Sequence, residues 1–250
     1  MDCYEGGRLK TIRWGIIGCG NVTEVKSGPA LQQAEGSQLV AVMRRDAVLA
    51  QDYARRHGVA RWYSDAAQLI QDPEVDAVYI ATPPNMHHAY TLAAAQAGKA
   101  VYVEKPMAMS SSQGEEMIAV CRAKGVPLFV AYYRRALPRF LKVKELLENE
   151  AIGSLRFVTI VLSHPVQVLP GSELPWRYQP EMAGGGLFVD LASHTLDYLD
   201  YLVGPIKNAR GFAHNQAGSY PAEDIVSAAF AFENGALGSG VWCFNGDKSI

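Results

Sequence analysis

The chain has 250 residues, of which 49% are hydrophobic, and a formal net charge of −2. This length can bury two modest cores, whereas the charge and the lack of a dense Lys/Arg run argue against nucleic acid as the main partner. No apolar run approaches the ~20 residues of a membrane span. The leader, residues 1–10, has no apolar core, so we expect a loose tail and not a secretory signal. The scattered cysteines lack metal-ligand spacing, which predicts free thiols, no metal site and a reducing, cytoplasmic location.

Strand and helix patterns alternate along the first half of the chain. The predicted strands are Arg13–Ile17, Gln38–Met43, Ala77–Ala81, Ala100–Val103 and Leu128–Val130. The predicted helices are Val22–Gln33, Ala47–His57, Asp65–Gln71, Met86–Gln96 and Ser111–Ala123. This α/β alternation indicates an N-terminal Rossmann domain, a doubly wound parallel sheet with helices on both faces.

The pattern changes after Tyr132, where strands follow strands through turns. The predicted elements are helices at Leu137–Glu148 and Phe188–Leu202 and strands at Leu155–Ser163, Asn208–His214, Val226–Phe232 and Ala236–Trp242. They indicate a second α+β domain on a mostly antiparallel open sheet. We therefore predict domains at 1–131 and 132–250. Because residues 244–250 stop where a turn should lead into another strand, we expect the second domain to be incomplete at its C-terminus.

The first predicted strand runs into two glycines that flank one cysteine, and then into a helical pattern. This is the opening of a dinucleotide-binding βαβ unit. In that geometry Gly18 makes the tight turn, Gly20 lets the backbone approach a pyrophosphate, and the amides of Asn21 and Val22 face the anion. Thr23 stands where a third glycine is usual, so an ordinary strand-to-helix turn is the alternative.

The end of the second strand decides between the two nicotinamide cofactors. Arg44 stands where NAD-binding domains carry an acid, and with Arg45 it suits the 2′-phosphate of NADP. A charge-assisted hydrogen bond of roughly 1.5 to 3 kcal/mol corresponds to a preference of about ten- to a hundred-fold. The alternative is that both arginines lie on a solvated face. NAD stays possible because Asp46, the predicted N-cap of the next helix, could bind the ribose instead.

Two further loops follow strands at the edge of the sheet where open α/β folds bind ligands. The first supplies four candidate cofactor contacts: Thr82, Pro83, Asn85 and His87. Plain turn chemistry, with Asn85 capping the next helix, is compatible with this role, and His87 and His88 are more typical of a helix surface.

The second loop contains Glu104 and Lys105, both candidate cofactor contacts. Pro106 keeps Lys105 out of the helical conformation and fixes its direction, with a cis peptide as one option. A lysine held there, at the carboxyl edge of the sheet, would project towards the crevice where such folds bind ligands. The alternative is a surface lysine at a strand end.

Three polar residues near the second-domain glycine run share a helical spacing. Asp190, His194 and Asp197 would fall on one face of a helix. A histidine flanked by carboxylates suits proton transfer near neutral pH. The glycine run before them allows backbone to approach a ligand closely. A solvated polar stripe is the alternative.

These motifs occur in one order and spacing: Gly18-Cys19-Gly20, Thr82-Pro83-Pro84-Asn85, Glu104-Lys105-Pro106 and Gly184-Gly185-Gly186 followed by Asp190 and His194. Over nearly the whole chain they resemble the Gfo/Idh/MocA oxidoreductase family. The resemblance implies Lys105 and His194 as the catalytic pair and Asp190 as a ligand of a substrate hydroxyl. It further implies a homodimer or homotetramer formed through the second-domain sheet.

Other residues are candidates for the substrate pocket. Tyr133 and Arg134 lie at the domain junction, where that family often has an aromatic residue and an arginine near substrate; a buried hinge is the alternative. Trp176 and Arg177 could wall the site, since a tryptophan suits the face of a sugar, although loops also carry tryptophan for packing.

The sequence thus predicts an NAD(P)-dependent oxidoreductase that transfers a hydride between the nicotinamide, preferably of NADP, and a sugar or polyol carbon. His194 would move the hydroxyl proton and Lys105 would stabilise charge on the same oxygen. Two alternatives stay open. The first is an enzyme of the same fold that acts on a non-sugar such as a dihydrodiol, and the second is a non-catalytic dinucleotide-binding sensor.

Overall fold

The structure is a computed structural model that describes residues 11–165, 168 and 173–246, together with the backbone of residues 4–5 and 8–9. The chain forms two units and passes from one to the other between Ala131 and Tyr132. In the leader, β1 (Tyr4–Glu5) pairs antiparallel with β2 (Arg8–Leu9). The prediction of a loose tail is therefore wrong for these four residues, and the rest of the leader lies outside the described residues.

The first unit is built on one six-stranded sheet. Its strands are β3 (Ile12–Ile17), β4 (Ser37–Met43), β5 (Arg61–Tyr63), β6 (Ala77–Ile80), β7 (Ala100–Val103) and β8 (Leu128–Val130). They lie in the order β5-β4-β3-β6-β7-β8, and every neighbouring pair is parallel. The predicted doubly wound sheet is confirmed. The edge strand β5 was not predicted, because Arg61–Tyr63 is not an apolar run, whereas the equally short β8 is one.

Helices cover both faces of this sheet. They are α1 (Gly28–Gln33), α2 (Ala47–His57), α3 (Ala66–Gln71), α4 (His87–Gln96) and α5 (Ser111–Lys124). Consecutive residues of β3 point to opposite faces, as the strand period of two requires. Ile16 joins the core formed with Tyr53 of α2, and Ile17 joins the core formed with Leu69 of α3 and Met117 of α5.

The first predicted helix differs from expectation, because a π-helical turn at Thr23–Ser27 precedes α1. The hydroxyl of Thr23 donates to Gly20 O at 2.8 Å, and the hydroxyl of Tyr53 donates to Thr23 O at 2.9 Å. A Cβ on Gly28 would collide with Thr23 O and would lie 2.5 Å from the Tyr53 hydroxyl oxygen. Gly28 therefore allows the close packing beside Thr23, which occupies the position where a third glycine is usual.

The second unit contains a four-stranded sheet. Its strands are β9 (Phe157–Pro165), β10 (Ile206–His214), β11 (Ile225–Phe232) and β12 (Leu237–Gly246). Its helical segments are a 3-10 turn at Tyr133–Ala136, α6 (Pro138–Glu148), a 3-10 turn at Trp176–Tyr178, α7 (Pro180–Ala183), a π-helical turn at Phe188–Ala192 and α8 (Ser193–Val203). The strand order is β10-β11-β12-β9. The predicted antiparallel pairing holds for β10–β11 and β11–β12, but β12 and β9 are parallel.

One face of this second sheet is buried. Phe230, Trp242 and Phe244 pack there in a core with Leu199 of α8. The aromatic rings lie directly over backbone, since a Cβ on Gly240 would collide with the Trp242 ring.

The opposite face of the second sheet is exposed and carries apolar side chains. We call it the outer sheet face and define it by Phe157, Val161, Phe212, Leu237 and Val241. In the strand register Leu237 lies beside Phe157, and Val241 lies beside Val161. Val161 is 80% exposed and Phe157 is 71% exposed. Two adjoining strands therefore present apolar pairs to solvent.

Two features are absent from the described ranges. No helix there is long and apolar enough to cross a bilayer. Within the same ranges, no group of three or more His, Cys, Asp or Glu side chains is arranged to hold a metal ion.

Candidate active site

The glycine turn after β3 combines a left-handed residue with open space in front of its backbone. Gly18 has φ +93°, and a Cβ there would lie 2.9 Å from Thr82 Cγ2. A Cβ on Gly20 would meet its nearest neighbour, Gly18 O, only at 3.9 Å, so the space in front of this backbone is open. Next to it, Asn21 is exposed and Val22 is half-buried. These residues fit the pyrophosphate of a dinucleotide.

The cysteine inside this turn is a packing residue. Cys19 is fully buried, and burial raises the pKa of its thiol to about 11. A thiol with such a pKa stays protonated near neutrality and is a poor nucleophile.

Arg44 lies between the second strand and the glycine turn. Its backbone N donates to Tyr63 O at 3.2 Å, and its Nη1 donates to Cys19 O at 3.3 Å. Arg45 is exposed. The predicted N-cap is confirmed, because the Asp46 carboxylate accepts from Leu49 N at 3.1 Å. A ribose contact by Asp46 would have to compete with this cap.

The loop after β6 departs from the prediction at Asn85. Thr82 and Pro83 are half-buried and Asn85 is exposed, but Asn85 is not the helix cap. A 3-10 turn, Pro84–Met86, precedes α4 and places Met86 at the N-cap.

The two histidines at the start of α4 have different environments. The surface placement predicted for His87 is wrong, because its side chain is completely buried. Its ring nitrogens lie against two backbone carbonyl oxygens, so the predicted direct contact with cofactor does not fit this burial. His88 is on the surface side, with Nε2 2.8 Å from Glu116 Oε2.

The turn after β7 is braced from inside the sheet. The hydroxyl of Tyr79 donates to Glu104 Oε1 at 2.5 Å, and the backbone N of Lys105 donates to Glu104 Oε2 at 3.2 Å. The Lys105–Pro106 peptide is cis. Burial, followed by the charge of Glu104, raises the pKa of Tyr79, which therefore stays a donor. Glu104 thus joins the β6 core to the lysine turn.

Sequence reasoning missed Tyr79, because a tyrosine in a buried strand is indistinguishable from a packing residue. It also stacks on Tyr102 with ring centroids 5.2 Å apart, and Tyr102 meets Trp14 edge-on at 6.3 Å. The brace is therefore part of a row of aromatic rings on three strands.

In the second unit, Asp190 and His194 are both only 7% exposed. The alternative of a solvated polar stripe is therefore wrong for these two residues. Asp190 lies in the π-helical turn and His194 in α8, so a regular α-helical spacing does not describe them. Arg177 Nε lies 3.2 Å from Asp190 Oδ2, and its guanidinium stacks 4.5 Å above the Trp176 ring. Three of the predicted site residues therefore form one group.

Two tyrosine rings flank the imidazole of His194. The Tyr132 ring meets it edge-on at 6.0 Å, and the Tyr133 ring does so at 5.4 Å. Burial raises the pKa of Tyr132, whereas Tyr133 is 48% exposed. Arg134 follows them and is half-buried. The pair restricts the plane of the imidazole ring.

Asp197 has a structural partner in Arg135. Arg135 Nη2 lies 2.7 Å from Asp197 Oδ1, and Nε lies 3.0 Å from both carboxylate oxygens. The Asp197 side chain is 8% exposed. Arg135 therefore ties the 3-10 turn that carries Tyr133 to α8, a role that sequence spacing could not reveal because the two residues are distant in the chain.

The glycine run before Asp190 packs against protein. Gly184 ends α7 with φ +83°, and the N–H of Gly186 donates to Glu223 Oε1 at 2.9 Å. A Cβ on Gly186 would lie 2.8 Å from Ala222 Cβ. The close approach that we expected for a ligand is therefore made here by residues 222–223.

Both units of the chain match families of known proteins. The family profile of oxidoreductases with an NAD-binding Rossmann fold matches residues 12–132, and the GFO/IDH/MocA C-terminal domain matches residues 140–248. "Oxidoreductase P35" of Formosa agariphila is 43% identical over 238 residues, covering 94% of this chain and 73% of that protein. "Trans-1,2-dihydrobenzene-1,2-diol dehydrogenase" of Sus scrofa is 31% identical, covering 91% of this chain and 67% of its own length.

A solved structure agrees with these matches. Levoglucosan dehydrogenase in complex with NADH and levoglucosan superposes with a TM-score of 0.83 at 28% identity, covering 95% of this chain and 68% of that one. The chain therefore belongs to the GFO/IDH/MocA family and is an oxidoreductase with an NAD-binding Rossmann domain.

Proposed function

We propose that this chain is an NADP-preferring dehydrogenase that transfers a hydride between the nicotinamide and a hydroxyl or carbonyl carbon of a sugar or polyol. The observation that carries the proposal is the Glu104–Lys105 turn, whose carboxylate is held by Tyr79 from the buried sheet. A lysine fixed by such support can meet a reacting oxygen with little reorganisation.

The cofactor, when bound, supplies the hydride acceptor or donor. The backbone at Gly18, Gly20, Asn21 and Val22 would hold its pyrophosphate. Arg44 would bind the 2′-phosphate, since its guanidinium lies beside the glycine turn.

Each proposed catalytic residue has one task. Lys105 donates a hydrogen bond to the substrate oxygen and stabilises negative charge on it. His194 takes the hydroxyl proton in oxidation and returns it in reduction. Asp190 accepts from a second substrate hydroxyl. The tyrosines beside His194 hold the imidazole in one plane for this transfer.

The substrate class rests on the second unit. Trp176 offers an aromatic face, and the half-exposed Arg177 next to Asp190 offers donors for hydroxyl groups. Tyr133 and Arg134 are further wall residues in this proposal. The levoglucosan bound by a structural relative supports a sugar substrate. A trans-dihydrodiol is the second candidate substrate, and the similarity to the dihydrodiol dehydrogenase of Sus scrofa supports it.

The test is oxidation of levoglucosan, other sugars and polyols, and trans-1,2-dihydrobenzene-1,2-diol by the 250-residue chain with NADP⁺ or NAD⁺. Turnover of the diol alone would favour the alternative, and dinucleotide binding without any turnover would favour a sensor. Lys105→Met and His194→Asn should lower kcat by about 10²- to 10⁴-fold. Lys124→Met, at the exposed end of α5, is the matched control, and equal kcat in Lys105→Met and this control would contradict the role of Lys105.

We further propose that the outer sheet face is buried against a second copy of this chain, in a homodimer or homotetramer. Its apolar pairs, Leu237 with Phe157 and Val241 with Val161, lie on adjoining strands at high exposure. Contiguous apolar surface of this kind marks an interaction site.

A further inference from the structure

His87 is a buried histidine whose two ring nitrogens both face backbone oxygens. Nδ1 lies 2.9 Å from Pro106 O, and Nε2 lies 2.8 Å from Thr82 O. The side chain has no exposed surface. A polar ring is costly to bury unless its nitrogens are hydrogen-bonded, so these contacts define what the residue does.

The two carbonyl groups belong to different loops. Thr82 follows β6, and Pro106 directly follows Lys105 after β7. The strands themselves are joined as far as Ile80 and Val103, and the N–H of Glu104 donates to Ile80 O at 2.9 Å. Beyond these two residues the strands no longer pair, and His87 connects the two loops because its ring contacts a carbonyl oxygen in each.

Both partners of the His87 ring are carbonyl oxygens, and this fixes which atoms donate. Carbonyl oxygens only accept, so each contact requires an N–H on the ring. The neutral ring donates to one carbonyl, and the protonated ring donates to both. Burial lowers the pKa of His87, whereas the two carbonyl groups and the nearby Glu104 carboxylate favour the charged form.

We propose that His87 is a positioning residue that fixes the Lys105–Pro106 turn against the Thr82–Pro83 loop. The Lys105–Pro106 turn carries the proposed catalytic lysine, and the Thr82–Pro83 loop carries proposed cofactor contacts. His87 thereby keeps one spacing between the groups that must flank the transferred hydride. Its mechanistic consequence rests on the proposed dehydrogenase function, but the mechanical link between the loops does not.

The first test needs no turnover. Amide hydrogen exchange of residues 82–86 and 104–109 is compared in the wild type, in His87→Phe and in the matched control His88→Phe. We expect both segments to exchange about five- to tenfold faster in His87→Phe, the factor that one lost buried hydrogen bond supplies. The amides of β3 and β4 should keep their rates, and His88→Phe should behave as the wild type.

The second test separates positioning from simple stability. With the best donor, kcat of His87→Phe should fall by about a hundredfold, the loss expected from a misplacement of about 1 Å. The KM for the dinucleotide should change much less than kcat, because the glycine turn and Arg44, which are proposed to hold the phosphates, are untouched.

Wild-type exchange rates in both segments of a folded His87→Phe would overturn the proposal, and so would a wild-type kcat. If His87→Phe does not fold, His87→Leu replaces it. Leu has no donor, so both segments should again exchange faster, and wild-type rates in both would overturn the proposal. If the wild type itself oxidises no donor, the proposed dehydrogenase function fails while the exchange rates still decide the role of His87.

Discussion

At the scale of single residues, Arg44 carries the proposed cofactor choice. Arg44→Ala should weaken NADPH binding by about ten- to a hundred-fold, because it removes a charge-assisted hydrogen bond to the 2′-phosphate. NADH binding should change little. Calorimetric titration of both cofactors measures this, and Arg55→Ala, an exposed arginine on α2, is the control. If Arg44→Ala weakened the binding of NADPH and NADH equally, Arg44 would not bind the 2′-phosphate.

Residues also show where sequence reasoning stops. The cap at Asp46 was predicted because an N-cap has a local signal, an acid just before a helix. The burial of His87 was not, because its partners at Thr82 and Pro106 are brought to it by the fold. The brace from Tyr79 to Glu104 was missed for the same reason. Polar pairs between neighbouring strands leave no periodic trace in a single sequence.

At the scale of elements, an ion-pair network ties the π-helical turn at Thr23–Ser27 to α2. The Glu24 carboxylate binds Arg56 at 2.6 Å and His57 at 2.7 Å. The hydrogen bonds from Arg56 are the largest cause that lowers the pKa of Glu24 from 4.5 to about 2. The folded state therefore binds this proton more weakly than the unfolded state, so the stabilisation is full above pH 4.5 and is lost as the pH falls through about 2.

Glu24→Gln should accordingly lower the free energy of unfolding at pH 7 and flatten its decline between pH 4.5 and 2. Urea denaturation at a series of pH values measures both effects. Glu35→Gln, an exposed carboxylate just after α1, should leave the curve unchanged. Parallel curves for the wild type and Glu24→Gln would show that the network adds nothing.

The second element-scale prediction concerns the 3-10 turn at Tyr133–Ala136. Arg135→Met keeps most of the side-chain stem but leaves the buried Asp197 carboxylate without its guanidinium, so we expect about 1–3 kcal/mol less stability. Arg139→Met on α6 is the control. Denaturant unfolding gives the free energies. An unchanged value for Arg135→Met would mean that α8 holds this turn without the ion pair.

Element prediction from the sequence worked best where the backbone is regular. The strand Ala100–Val103 and the helix Ala47–His57 were predicted to the residue. The π-helical turns at Thr23–Ser27 and Phe188–Ala192 were predicted as α-helix, because they depend on tertiary contacts such as the hydrogen bond from Tyr53 to Thr23 O.

At the scale of the whole molecule, the proposed copy-to-copy contact is open to test. Val161→Lys, and separately Leu237→Lys, should shift the chain to monomer, because burying a lysine against apolar surface is unfavourable. Light scattering coupled to size-exclusion chromatography gives the mass. Val48→Lys, which replaces a 75% exposed valine in the first unit, should keep the wild-type mass. A monomeric wild type would rule out the contact.

The sequence predicted two sheet architectures because hydrophobic period and strand-helix alternation are properties of the chain itself. It did not predict that β12 and β9 are parallel, since the residues between them, 166–236, are too many for any local turn rule to apply. Strand order in such a sheet is decided by tertiary packing, here in a core where Phe230 and Trp242 of the sheet meet Leu199 of α8, and a single sequence does not display such packing.

The row of rings formed by Trp14, Tyr102 and Tyr79 has a consequence for engineering. Its last member holds Glu104, so the lysine turn is supported from a core that spans three strands. A designer who transplants the Glu104–Pro106 turn into another Rossmann scaffold would have to carry the aromatic row with it, because a grafted site without its supporting residues loses its geometry. For the same reason, substitutions of core residues in β3 should change the rate of turnover although they lie away from the lysine turn.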